Sequence, residues 1–240
     1  ITDLYKIDIL RNLIVLIRFI YLFYLRKKIR YFIDPNKKID DHKIVKRKDG
    51  NHTVISHNMH FKDDILNLKK TYGKFNGGKT VKITYPLKSI SSINFNINKI
   101  LSVGPRNEGE LFLIRSLGFK WENIFGIDLL SYSKLIEVGD IHKSNYSNNF
   151  FDVVVCGWVL TYSNDYKKIL NELKRITKHN GIISIGFTYI PEKDHQITNT
   201  QQVIDCVSTN ISNVLFNTDS MGFDKNKKRH SIIIFQVKKN

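Results

Sequence analysis

Cysteine is scarce in this chain: two in 240 residues, Cys156 and Cys206, with no CxxC pair and no His/Cys cluster at metal spacing. A disulfide framework and a structural zinc site are therefore excluded as organising devices, and a reduced, cytoplasmic setting is the expectation. His52, His57 and His60 lie near one another, but no HExxH frame holds them, so no metal site is expected. No apolar run reaches the roughly 20 residues that a membrane span needs. The longest, Leu13 to Leu25, is broken by Arg18. A small-residue cleavage site of the signal-peptide kind is also missing, and the chain opens on Ile1 rather than Met, so its native start is expected further upstream. Acid is short as well: 22 Asp plus Glu stand against 38 Lys plus Arg, a formal net charge of +16.

Such a charge predicts attraction to phosphates, acidic glycans or anionic lipid surfaces. Lysine, asparagine and isoleucine recur along the whole chain, however, and composition bias is an equal source of the charge. At 42% hydrophobic and 25% charged residues, the composition is that of a folded globular protein. The length suits one α/β domain with an extension, not two equal domains.

Three segments follow one another. Residues 1–33 form a basic, apolar helix in which Arg11 and Arg18 share one side and the cluster Arg26, Lys27, Lys28, Arg30 closes the run. Two readings stay open for it. It packs on the domain or pairs a homodimer with its arginines reaching solvent, or it lies in an anionic membrane surface and makes the protein peripheral there. Residues 34–92 are poorly patterned: a polar loop region with Pro35 and Gly50, a helix over Phe61 to Tyr72 stopped by Asn76, Gly77 and Gly78, and strand-like alternation from Thr80 to Tyr85.

Residues 93–240 change character. Strands are expected at Lys99–Gly104, Ile124–Leu129, Leu135–Val138, Phe151–Gly157, Gly181–Ile190, around Val214 and Leu215, and at Ser231–Val237. Helices are expected at Glu108–Leu117, Tyr166–Thr177 and Gln201–Val207. Strands apolar on both faces and alternating with helices indicate a parallel sheet covered on both sides.

In a doubly wound sheet, ligands sit beyond the carboxyl ends of the strands, so the loops after each strand are the informative positions. After the first strand comes GPRNEGE, in which Gly104 permits close backbone approach and the helix start offers amides. The second strand ends at Asp128, whose carboxylate suits a ribose diol. After the third, Gly139 and Asp140 precede Ile141; an acid there can take an adenine amine while the next amide donates to the ring. The fourth loop, Gly157 to Asp165, would close over the reacting end.

The series ILSVGPRNEGE, IFGIDLL, VGDIHKSNYSNNFFDVVVCGWVL and ILNELKRITKHNGIISIG resembles the ordered motifs of class I S-adenosylmethionine-dependent methyltransferases of the small methyltransferase-domain type, over roughly Lys99 to Ile190. The resemblance implies a Rossmann-like α/β fold, a doubly wound seven-stranded sheet with an antiparallel last strand, here behind an N-terminal helical extension. It implies S-adenosylmethionine as cofactor, with Gly104, Arg106 and Glu108 at the methionine end, Asp128 and Leu129 at the ribose, Asp140 and Ile141 at the adenine, and Gly157 and Trp158 bordering the methyl. The chain departs from the family's first motif: Ser102 replaces an acid, and Arg106 and Glu108 replace glycines. Arg106 and Glu108 together can bracket an amino acid's carboxylate and ammonium.

Methyl transfer is an in-line displacement that asks mainly for positioning and the exclusion of water. A base is needed only where the acceptor's proton leaves early. Tyr162 and His142 are the candidates for that role, and Asp165 is read as a helix cap. A small-molecule, glycan or lipid-linked acceptor is expected. The alternatives are a non-catalytic scaffold at a membrane surface and an RNA-directed methyltransferase. The net charge favours nucleic acid, but no NPPY-like motif and no RNP-type aromatic pair support it. A nicotinamide oxidoreductase is disfavoured by the missing GxGxxG.

Overall fold

The computed structural model describes residues 80–105, 108–129, 135–163, 165–189, 197–218 and 229–239. The helices expected over residues 1–33 and Phe61–Tyr72, and Arg106, lie outside the described residues.

Seven strands form one sheet: β1 (Ile100–Val103), β2 (Ile124–Asp128), β3 (Glu137–Val138), β4 (Phe151–Gly157), β5 (Thr177–Tyr189), β6 (Ile211–Asn217) and β7 (Arg229–Val237). Their order across the sheet is β3-β2-β1-β4-β5-β7-β6. The pairs β2/β3, β1/β2, β1/β4 and β4/β5 are parallel, whereas β7 runs antiparallel to both β5 and β6. This is the seven-stranded arrangement that the motifs led us to expect. The antiparallel last strand is inserted between two earlier ones.

Alternation along each buried strand divides the core in two. Leu101, Val103, Val154, Cys156, Ile183, Ile185, Ile233 and Phe235 point to one face, which is covered by α3 (Tyr166–Ile176) and α4 (Thr200–Val207). Ile100, Val153, Val155, Ile182, Ile232 and Ile234 point to the other. There they meet Ile83 of α1 (Val81–Thr84) and Ile114 of α2 (Glu108–Ser116). Period-2 burial on both faces is what a sheet sandwiched between helix layers requires.

Two stretches differ from the sequence expectation. Thr80 to Tyr85, read as a strand, is the short helix α1, which continues as a 3-10 turn over Tyr85–Ser89. Thr80, Ile83, Thr84 and Leu87 are buried, the spacing of one helical face, and the Ser184 hydroxyl donates to the Ile83 carbonyl at 2.6 Å. The alternation of Val81 and Ile83 about Lys82 masked that longer period. The second is the start of β5. Thr177 was expected to end the preceding helix, but it pairs with Phe151, and the register to β4 then shifts before Val153 meets Ile182. The other core elements fall where the apolar pattern placed them, within a residue or two at their ends.

Candidate active site

The parallel register aligns the carboxyl ends of the strands. Val103 stands level with Ile127 on one side and Cys156 on the other, Ile127 with Glu137, and Gly157 with Gly186. Gly104, Asp128, Gly139, Asp140, Gly157 and Trp158 are therefore carried to one edge of the sheet. The chain leaves β1 for β2 on one side and returns through β4 on the other, so this edge contains the point where the winding direction reverses.

At the centre of that edge, Gly104 has φ +69 and its N–H donates to the Ile127 carbonyl at 2.8 Å. A Cβ at this position would come within 2.3 Å of Val159 Cγ2. The turn after β1 and the loop after β4 thus approach so closely that only glycine fits between them, in a backbone conformation that glycine tolerates. Asp128 closes β2 and is 8% exposed. Its carbonyl accepts from Gly139 N–H at 2.9 Å, tying the second strand's end to the turn that carries Asp140. Leu129, which follows it, is half-buried. Glu108 opens α2.

Asp140 caps the 3-10 turn Ile141–Lys143. Its Oδ1 accepts from the His142 backbone N–H at 2.9 Å and faces His142 Nδ1 at 2.7 Å. Ile141 is buried in the core beside Leu160. The His142 ring, a candidate base on sequence, has its other nitrogen 2.9 Å from Ser163 Oγ. Both ring nitrogens are therefore engaged inside the protein. Behind this turn, Ser144 is held by Glu172 of α3, whose carboxylate also takes Arg175. Burial works against the ionised form of Glu172, but hydrogen bonds from Arg175 and Ser144 outweigh it and hold the carboxyl below its ordinary value.

The loop after β4 begins at Trp158, a non-glycine residue at φ +60. Its backbone N–H donates to the Gly186 carbonyl at 2.7 Å and its Nε1–H to Thr188 Oγ1 at 2.8 Å. The ring lies over Gly186, where an added Cβ would come to 3.1 Å from Cη2. Thr188 Oγ1 is also 2.8 Å from Nδ1 of His230, and Thr161 Oγ1 accepts from Thr188 N–H at 2.9 Å. Beyond Trp158 a 3-10 turn, Leu160–Tyr162, carries the Tyr162 side chain out to 47% exposure, at the rim of the edge. Asp165 caps α3 by accepting from Lys168 N–H at 3.0 Å.

Sequence reasoning missed Ser163, Gly186, Thr188 and His230. Each is separated in sequence from its partner, Ser163 by 21 residues and His230 by 42, and no local motif announces such contacts. A hollow of about 530 Å³ lies at the opposite, amino-terminal edge, between Asn98, Asp152, Lys178 and Gln236. That is the end of the sheet away from the strand termini just described. Among the described residues no group of three or more His, Cys, Asp or Glu is placed to hold a metal ion, and no helix is long and apolar enough to cross a membrane.

A doubly wound sheet of this strand order, with acids closing β2 and following β3 beside a glycine turn, has the Rossmann-like methyltransferase fold. Comparisons agree. Residues 112–185 match the family described as "Methyltransferase domain". No curated protein matches the chain. Among solved structures, the N-methyltransferase NodS from Bradyrhizobium japonicum WM9, in complex with S-adenosyl-L-homocysteine, is similar over 74% of this chain and 93% of its own, with 14% identity and a TM-score of 0.53. A protein from Pyrococcus horikoshii OT3 is similar over 67% of this chain and 90% of its own, with 15% identity and a TM-score of 0.50. Residues 112–185 thus resemble a methyltransferase domain, on a fold shared with an N-methyltransferase solved with S-adenosyl-L-homocysteine. The donor set fits such a nucleoside: a glycine turn no side chain can fill, and acids at the ends of two adjacent strands.

Proposed function

We propose that this domain transfers the methyl group of S-adenosylmethionine to a small-molecule, glycan or lipid-linked acceptor at the carboxyl edge of the sheet. The observation that carries the reading is the convergence of Gly104, Asp128 and Asp140 on adjacent strand ends, with the Trp158–Tyr162 loop beside them. In this assignment Gly104, Arg106 and Glu108 border the methionine part, and Asp128 with Leu129 meets the ribose. Asp140 and the Ile141 amide meet the adenine, and Gly157 and Trp158 flank the methyl.

The bound sulfonium supplies an activated methyl group, which leaves the protein the work of orientation. Trp158 is locked by two hydrogen bonds to β5 and makes a fixed wall. Tyr162, exposed on the neighbouring turn, is the side chain we assign to the acceptor, through its phenol. Rigid placement of this kind is where most of the rate enhancement of such a displacement arises. The net charge of +16 supports an anionic acceptor. Residues 1–33 are proposed as the contact to an anionic membrane surface, testable by vesicle flotation with and without them.

Calorimetric titration with S-adenosylmethionine and S-adenosylhomocysteine tests the site. Binding in the micromolar range is expected, with Asp128→Ala weakening it at least about tenfold, or about 1.4 kcal/mol. Labelled-methyl incorporation across anionic metabolites, glycans and lipid-linked sugars then reads the acceptor. A chain that binds neither ligand would leave the non-catalytic scaffold as the reading.

A further inference from the structure

We propose that His142 is a positioning residue that couples the adenine side of the site to the loop bordering the acceptor, through a directed relay from Asp140 to the start of α3. The inference rests on the cofactor reading above and adds a connection between its two halves.

Hydrogen-bond direction settles how the relay is wired. A carboxylate only accepts, so Nδ1–H of His142 donates to Asp140 Oδ1 across 2.7 Å. With the imidazole neutral, Nε2 is the acceptor and Ser163 Oγ, 2.9 Å away, donates to it. The Ser163 oxygen in turn accepts from the Asp165 N–H at 3.0 Å, and Asp165 caps α3 by accepting from Lys168 N–H. Every donor in the series meets one acceptor. The members are enclosed: the His142 side chain is 5% exposed, the Asp140 side chain 14%, and Ser163 6%.

The placement of the members gives the relay its meaning. Asp140 lies past the end of β3, on the adenine side, whereas Ser163 follows Tyr162 in the loop after β4. The imidazole is the bridge between these two loops, and its tautomer is fixed by both. A ligand that orders Asp140 therefore orders His142, and through it Ser163 and the segment 158–165. Conversely, releasing Ser163 frees the ring to turn and loosens the carboxylate. An Asp, a His and a Ser in series also resemble a hydrolytic triad. That reading is opposed by the burial of Ser163 and by the Asp165 amide already donating to its oxygen.

Amide hydrogen exchange with and without S-adenosylhomocysteine is the test. In the unaltered chain the ligand should slow exchange in both 136–143 and 158–165. In Ser163→Ala, affinity should fall roughly three- to tenfold, the worth of one neutral hydrogen bond. Protection of 136–143 by the ligand should remain and that of 158–165 should be lost, an effect that a general loss of stability would not produce. Ser163→Thr should restore it. His142→Asn, which reaches Asp140 alone, should match Ser163→Ala, and the double variant should be no worse than either. As a control for the cofactor reading, Asp128→Ala saturated with ligand should still protect 158–165. If Ser163→Ala keeps the ligand-dependent protection of 158–165, or if the two changes add, the coupling is refuted while the cofactor reading stands. If the unaltered chain fails to bind S-adenosylhomocysteine, both fall.

Discussion

Glu172→Gln should destabilise the domain out of proportion to its size, because the carboxylate accepts from four donors. Its Oε1 accepts from Ser144 N–H at 2.8 Å, Ser144 Oγ at 2.6 Å and Arg175 Nη2 at 2.8 Å, and its Oε2 from Arg175 Nε at 2.8 Å. The glutamine amide keeps one acceptor oxygen and turns its NH2 group toward donors. At least one charge-assisted bond is lost and a like-polarity contact is made, a cost of about 3 kcal/mol for groups well out of water. The Arg175 side chain is 35% exposed against 10% for Glu172, so screening reduces this to about 2 kcal/mol. For a domain of this size each kcal/mol moves Tm by about 2–4 °C, which predicts a drop of about 4–8 °C at pH 7. The sign with pH also follows. A carboxyl held below its ordinary value contributes stability above the unfolded value, near pH 4.3, and loses it as pH falls through the folded one. The difference in Tm between Glu172→Gln and the unaltered chain should therefore shrink on acidification from pH 7 to below 4. Thermal melts across that range check it, and a Tm unchanged at pH 7, or a gap that widens in acid, would refute the reasoning.

Two further outcomes follow from the same geometry. Asp165→Ala removes the cap of α3 and should cost about 1 kcal/mol, read as a lower urea midpoint at unchanged m. Cys156 is fully buried and burial pushes its thiol far above the ordinary value, so a disulfide reagent at pH 8 should modify one thiol per native chain, Cys206, and the second only in denaturant.

The core of the sheet was legible because its strands carry their burial in their composition. FDVVVCG is apolar at nearly every position, and such a run has no stable place except between two layers. α3 was legible from Ile169, Leu170, Leu173 and Ile176 on one side with Asp165 ahead of them. α1 was not. Four residues with Lys82 between two β-branched neighbours satisfy a strand's alternation as well as a helix's, and only packing of Ile83 and Leu87 on the far face decides it. The same limit governs the site. Asp128 and Asp140 announce themselves by closing or following strands, but Ser163, the distant partner of His142, comes from another loop and Thr188, the partner of Trp158, from β5, where the sequence carries no local sign of them.

The inserted position of β7 has a consequence for how the molecule is made. β5 is covered on its outer side by β7 alone, and β6, although synthesised earlier, joins the sheet only through β7. Until residues through Val237 have left the ribosome, the nascent chain holds a naked hydrophobic border and a strand with nowhere to dock. A premature stop ahead of Arg229 would thus cost the protein both strands beyond β5, one absent and the other undocked, and the unfinished polypeptide would be a natural client for chaperones.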